Sequence, residues 1–340
     1  MTSATPAPVF DHLLRMTDRR GTFEHARFSE PRLEDGYCTD DVARVLVVAA
    51  REPDSSGDVR GLARVAIQFL DDAQAFAGKC RNRMDRNGRW TDEPAAEDAW
   101  GRCLWGLGTA AAHCDVSLIR RLSVIQFERA ASVRSPSPRA MAFAALGAAE
   151  LLGVDPGHRA ARALIGDYAA GIAGPSSDAD WPWPEPRLAY ANAVLPEAMI
   201  AAGVALGDDT LRQRGLDLLA WLIDRETADG HLSPTPAGGR GPDDARPGFD
   251  QQPIEVSSIA DACARAAGTD ASNIWPDTVR AAADWFEGAN DVGLRMWDPQ
   301  TGGGFDGLHA DGVNQNQGAE STLAVLSTLQ HAQRFSTVPQ

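Results

Sequence analysis

The sequence predicts an all-α (α/α)6 toroid, six inner and six outer helices with short β-hairpins in the long loops, as one domain over residues 1–340. Three observations carry this expectation. Apolar residues recur with a helical period along about twelve segments. Amphipathic segments alternate with segments dominated by Ala, Gly and other small residues. Strand-type alternation is confined to short pieces between the helices.

Taken in order, the predicted helices cover 7–17, 38–51, 57–77, 95–113, 116–132, 137–152, 157–173, 187–205, 208–225, 252–267, 272–288 and 317–334. Segments 57–77, 116–132, 157–173, 208–225 and 272–288 space Arg and Asp among Leu, Ile and Ala, the pattern of helices buried on one face only. Segments 38–51, 95–113, 137–152, 187–205, 252–267 and 317–334 are richer in small residues, as helices packed on all sides must be. Glu52-Pro53, Arg134 to Pro138, Gly174-Pro175 and the stretch from Pro234 to Pro247 punctuate the pattern. Strand-like pieces run from Cys80 to Trp90 around an Asn87-Gly88 turn, and from Met296 to Leu308 around Gly302, Gly303 and Gly304. Successive inner starts are irregularly spaced, so the chain is no uniform solenoid.

Composition narrows the chemistry. With 32 Lys+Arg against 47 Asp+Glu the formal net charge is −15, which argues against nucleic-acid partners and strongly anionic substrates. Lys79 is the only lysine, so no phosphate loop ending in Lys-Ser/Thr exists. The five cysteines, Cys38, Cys80, Cys103, Cys114 and Cys263, show no metal-binding spacing and read as buried reduced thiols. No run of 18 apolar residues occurs and the first residues are neither basic nor strongly apolar. No membrane span or secretion signal is expected, and the expected setting is cytoplasmic.

In a toroid of this kind the inner helices run in one direction, so their N-terminal N–H groups gather at one end. The chemistry-bearing residues of this sequence collect at those starts. They are Tyr37, Asp40 and Asp41 at the first; Glu97, Asp98, Trp100 and Arg102 at the second; Trp181, Trp183, Glu185 and Tyr190 at the fourth. Asp250, Gln251, Gln252 and Glu255 mark the fifth, and Asn316 and Glu320 the sixth. Any one acid there reads equally as a helix cap. Indoles, amides and an arginine gathered at the same starts do not. Carboxylates and amides that bind hydroxyls, with indoles that stack on sugar rings, suit a neutral glycan. Asp41, Asp98 and Glu255 are the expected catalytic carboxylates. Arg102, four residues after Asp98, is expected to hold Asp98 ionised as base or nucleophile, with Glu255 or Asp41 as the acid. No cofactor and no metal is required, and insensitivity to a chelator is expected.

The run His25-Ala26-Arg27-Phe28-Ser29 followed by Gly36-Tyr37-Cys38-Thr39-Asp40-Asp41-Val42-Ala43-Arg44 resembles a bacterial toroid family associated with glycosyltransferases. The likeness runs from about His12 to Glu320 and includes Glu97 to Arg102 and Gly318-Ala319-Glu320-Ser321. It implies glycan metabolism and leaves the reaction open. No nucleotide-binding α/β pattern accompanies it, so a transferase activity is not expected of this chain. The reading that follows is a glycoside hydrolase acting on a neutral oligo- or polysaccharide. A sugar epimerase or isomerase, a phosphorylase and a non-catalytic glycan-binding domain are the alternatives. Of seven histidines none lies at an inner start; His25, His231 and His309, on loops, are the ones able to reach the mouth.

Overall fold

The computed structural model describes residues 5–172, 178 and 180–336. Among these, twelve helices follow one another: α1 (Asp11–Arg15), α2 (Thr39–Arg51), α3 (Gly57–Ala73), α4 (Asp98–His113), α5 (Ser117–Ala130), α6 (Pro138–Val154), α7 (Arg159–Gly171), α8 (Val194–Leu206), α9 (Asp209–Arg225), α10 (Pro253–Ala266), α11 (Ile274–Phe286) and α12 (Ala319–Arg334). Short antiparallel strand pairs sit in the connections: β1 (Ala26–Arg27) with β2 (Glu30–Pro31), β3 (Tyr37–Cys38) with β4 (Arg83–Met84), β5 (Thr227–Ala228) with β6 (His231–Leu232), and β7 (Gly307–His309) with β8 (Gly312–Asn314). Gly88, at φ +85°, supplies the turn predicted at Asn87-Gly88. The Gly174-Pro175 break and the last residue of the predicted 157–173 helix lie outside the described residues. No helix among the described residues is long and apolar enough to cross a membrane.

Burial follows the predicted alternation. In α4 every residue from Ala99 to Ala111 is buried, and in α12 every residue from Ser321 to Ala332. In α3 and α7 only one stripe is covered, Val59, Leu62, Ala63, Ala66, Ile67, Phe69, Leu70 and Ala73 in the first and Ala161, Leu164, Ile165 and Tyr168 in the second. The largest departure from a predicted start is that of α8. Residues 187–193 run as a bridge of Leu188 to Arg240 followed by a bend and a turn, and α8 begins only at Val194. Ala189, Ala191 and Asn192 give their backbone N–H groups to side chains there, which competes with helix formation.

The chain divides into two compact units. The larger part of one lies in Leu13–Ile172, with Ala201–Arg212; the other combines the described residues of Met1–His12, Ala173–Ile200 and Gln213–Gln340. In the first, α2, α4 and α6 pack through glycine. A Cβ on Gly101 would lie 2.3 Å from the Ala140 carbonyl oxygen, and one on Gly108 2.0 Å from that of Gly147. Gly147 in turn faces Leu104 O at 2.1 Å, and Gly106 faces Ala43 O at 2.7 Å. The pairs 101/140 and 108/147 advance together along both chains, so α4 and α6 are parallel and their N-termini lie side by side. Gly147→Ala is expected to lower stability by about 1–3 kcal/mol, because its obstacle is backbone that no rotamer change relieves. Gly166→Ala, on α7 with nothing within 4 Å, is expected to raise it by about 0.5–1 kcal/mol. Thermal melts of the two variants check both signs.

Candidate functional site

In the first unit, α2 is capped by Cys38. Its thiol accepts the Asp41 N–H at 3.4 Å and donates to Asp41 Oδ2 at 3.0 Å. Asp41 is buried and ion-paired with buried Arg44. Burial and the neighbouring carboxylates push the Cys38 thiol well above its ordinary range. Glu24, Cys38 and Asp41 bring three donor atoms within 4.8 Å of one another. Arg83 and Arg44 already neutralise the two carboxylates, and the thiol is held protonated.

Asp40 is half-buried, accepting from Asn82 Nδ2 at 2.9 Å, with Arg102 Nε 3.4 Å away. Arg102 also lies over the Phe143 ring at 4.2 Å. The expected Arg102–Asp98 pair is therefore corrected: the guanidinium is drawn across to α2 by Asp40 and held on α6 by the ring. Asp98 is half-exposed in the first turn of α4, and Glu97 is its exposed N-cap without a side-chain capping bond. Two expected sugar-binding aromatics prove to be core. Trp100 is fully buried and donates to Ala130 O at 3.1 Å, anchoring α4 to the end of α5. Tyr37 is buried, stacks on Phe23 with centroids 4.6 Å apart and donates to Asp18 Oδ2 at 2.9 Å.

The second unit holds the other candidates. Trp181 and Trp183 are buried, not exposed on their loop, because both pack on Trp221, edge-on at 5.2 Å and stacked at 6.0 Å. Trp181 Nε1 donates to Glu185 O at 2.8 Å, and Trp183 Nε1 lies 3.4 Å from half-buried Glu185 Oε2. Gln251 is also buried rather than ligand-facing. Its backbone pairs with Leu308 and its Nε2 donates to Asp291 Oδ2 at 2.6 Å and Gly248 O at 3.0 Å. His231 completes that group, 3.0 Å from Asp291 Oδ1. Gln252 is the half-buried N-cap of α10, without a side-chain capping bond; Tyr190 is exposed, and Asn316 and Glu320 are half-buried.

Asp250 is half-buried. Its Oδ1 is inaccessible to water and accepts no hydrogen bond, and His309 Nδ1 stands 4.0 Å away. Burial raises the Asp250 carboxyl above the ordinary aspartate range, against the opposing pull of His309. Gly307 allows this approach, since a Cβ there would sit 2.2 Å from Asp250 Oδ1. A buried carboxyl oxygen without a donor is a group prepared to engage one.

Glu255, five residues on, is buried and spoken for. It accepts from the Ala191 and Asn192 N–H groups and from Asn192 Nδ2 at 2.9 Å. It thereby holds a turn in which Ala191 has φ +43°, a backbone state that costs a non-glycine residue energy. Burial, then the charge of Glu226, pushes the Glu255 carboxyl up to about 7. Glu226, which the sequence does not signal, is buried with Arg240 at 3.8 Å and accepts from Thr235 N and Oγ1. Because Glu255 binds its proton more tightly folded than unfolded, folding is favoured below its unfolded pKa. That contribution is lost as pH rises through about 7. Glu255→Gln is expected to flatten the stability decline between pH 5 and 8, by on the order of 3 kcal/mol. Urea unfolding across that pH range reads the change.

No protein-family model matches the sequence, and no curated protein matches it. Solved structures do. The chain is similar to a cellobiose 2-epimerase from Bacillus thermoamylovorans, with 10% identity, 97% of this chain and 96% of that chain covered, and a TM-score of 0.71. It is similar to a sugar epimerase from a ruminal bacterium at 13% identity, 94% of each chain and a TM-score of 0.69. It is likewise similar to an α-1,6-mannanase of Salegentibacter in complex with α-1,6-mannotetrose, at 10% identity, 96% of each chain and a TM-score of 0.62. With the observed helix order, these likenesses establish the (α/α)6 toroid class that the sequence predicts.

Proposed function

We propose that the protein is a carbohydrate-active enzyme, a glycoside hydrolase working on a neutral glycan by carboxyl acid–base chemistry, with residues 1–340 acting as one toroid domain. The observation that carries this reading is Asp250, a partly enclosed carboxyl with a raised pKa and an oxygen that accepts no hydrogen bond, at the entrance to α10. Protonated, it donates to the departing glycosidic oxygen. Glu320, half-buried in the first turn of α12 within the same unit, is the partner carboxylate that activates water. Glu255 is a positioning residue in this reading, because its oxygens are occupied by the turn before α8. Asp41→Asn and Asp98→Asn test the other carboxylates expected from sequence.

A second reading, sugar 2-epimerisation, is favoured by the contact of His309 with Asp250, two proton-transfer groups 4.0 Å apart. One experiment separates them. The enzyme is incubated in D2O with a panel of manno- and gluco-oligosaccharides, and products are followed by reducing-end assay and NMR. Release of reducing ends without deuterium at C2 supports hydrolysis. Deuterium at C2 with the chain length unchanged supports epimerisation. Binding without either product defeats both.

A further inference from the structure

The outer helix α5 carries apolar residues on two faces. Ile119, Ser123, Gln126, Phe127 and Ala130 are covered by the protein. Leu118, Leu122 and Ile125 are exposed by 54%, 36% and 56%. Their spacing of four then three residues has the period of a coiled-coil seam, and the next position, four residues on, is half-buried Arg129, whose guanidinium is ion-paired with Asp71 of α3. A helix with one face already buried does not need a second apolar stripe, and exposed stripes of this kind mark contacts. Arg121 and Glu128 flank the stripe seven residues apart, one of each sign, on the same edge of the seam, and the exposed Glu128 carboxylate also lies 3.3 Å from His158 Nε2 of its own chain.

That arrangement complements itself when a second α5 lies antiparallel to the first. Leu122 then faces Ile125 of the partner subunit, and by symmetry Ile125 faces Leu122 of the partner subunit. Leu118 lies on the aliphatic stem of Arg129 of the partner subunit. The same register sets Arg121 beside Glu128 of the partner subunit, twice per pair. A parallel arrangement would align Arg121 with its own copy and lose both attractions. We propose that the exposed face of α5 is a self-association surface, on which two copies of this chain pair antiparallel about a two-fold axis.

Sedimentation equilibrium up to about 200 µM is the test, because a single helix pair lies at the weak end of interface sizes. Wild type is expected to show a reversible monomer–dimer equilibrium. Leu122→Glu is expected to raise the dissociation constant at least tenfold. Arg121→Glu is expected to weaken the dimer severalfold, and the double exchange Arg121→Glu with Glu128→Arg to restore it. A wild type that stays monomeric throughout, or a dimer indifferent to Leu122→Glu, overturns the proposal. A dimer that responds to Leu122→Glu but is not restored by the double exchange overturns the antiparallel register.

Discussion

Asp250→Asn is expected to lower turnover by about 10²–10⁴-fold, with a much smaller change in substrate affinity. Asparagine keeps the size of the side chain and its place beside Gly307 but removes the transferable proton. The wild-type rate is expected to fall as pH rises past the Asp250 pKa, since the deprotonated carboxylate no longer donates. Burial moves that limb above the position of an ordinary aspartate. A kcat profile between pH 3 and 8 on any substrate found in the D2O panel reads this directly. Full activity in Asp250→Asn would remove the residue from the reaction. His309→Gln separates the two readings further: hydrolysis should persist with its alkaline limb moved to higher pH, because His309 pulls the Asp250 carboxyl down, while epimerisation should lose one of its two proton carriers.

The largest effect on stability is expected from Arg240→Met. Arg240 and Glu226 are each 1% exposed, and the guanidinium also donates to the carbonyls of Arg225, Ser233 and Pro234. Removing it strands a buried carboxylate and three carbonyl oxygens, a loss of about 3–5 kcal/mol. The loss has a pH signature. Burial already raises the Glu226 carboxyl even with Arg240 in place, so without the guanidinium Glu226 retains its proton to still higher pH. A group with a raised folded pKa costs stability as pH climbs through that pKa, so Arg240→Met should be mild near pH 4 and severe by pH 8. Adding Glu226→Gln should recover most of the deficit at pH 8. A deficit equal at both pH values would show that lost hydrogen bonds, not the stranded charge, dominate.

The helix order was legible because burial imposes a period on the sequence that needs no partner to be named. Small residues in 95–113 and 137–152 announce all-round packing, and Gly101, Gly108 and Gly147 turn out to touch carbonyl groups on the facing helix. Side-chain destinations were less legible. Trp181-Pro182-Trp183 reads as an exposed loop until Trp221, 38 residues beyond Trp183, supplies the surface that buries it. Arg102 has acids within reach on two helices, and spacing along its own helix favours the wrong one; Phe143 and Asp40 decide the outcome from elsewhere. The Glu226–Arg240 pair and the contact of Asp250 with His309 join residues 14 and 59 positions apart, with no periodic signal to link them. The one available hint for His309 is its position two residues after Gly307, in a glycine-rich connection whose purpose is close backbone approach.

The contacts of Gly101, Gly106, Gly108 and Gly147 have a consequence for how new specificities arise on this framework. A side chain facing a side chain can trade volume with it over successive mutations, whereas an α-carbon against a peptide oxygen has nothing to trade. The helical framework around α2, α4 and α6 is therefore a fixed chassis, resistant to reshaping by small steps. Diversity in substrate preference should accumulate in the connecting stretches 74–97, 226–252 and 287–318, and laboratory evolution libraries belong there rather than in the barrel staves.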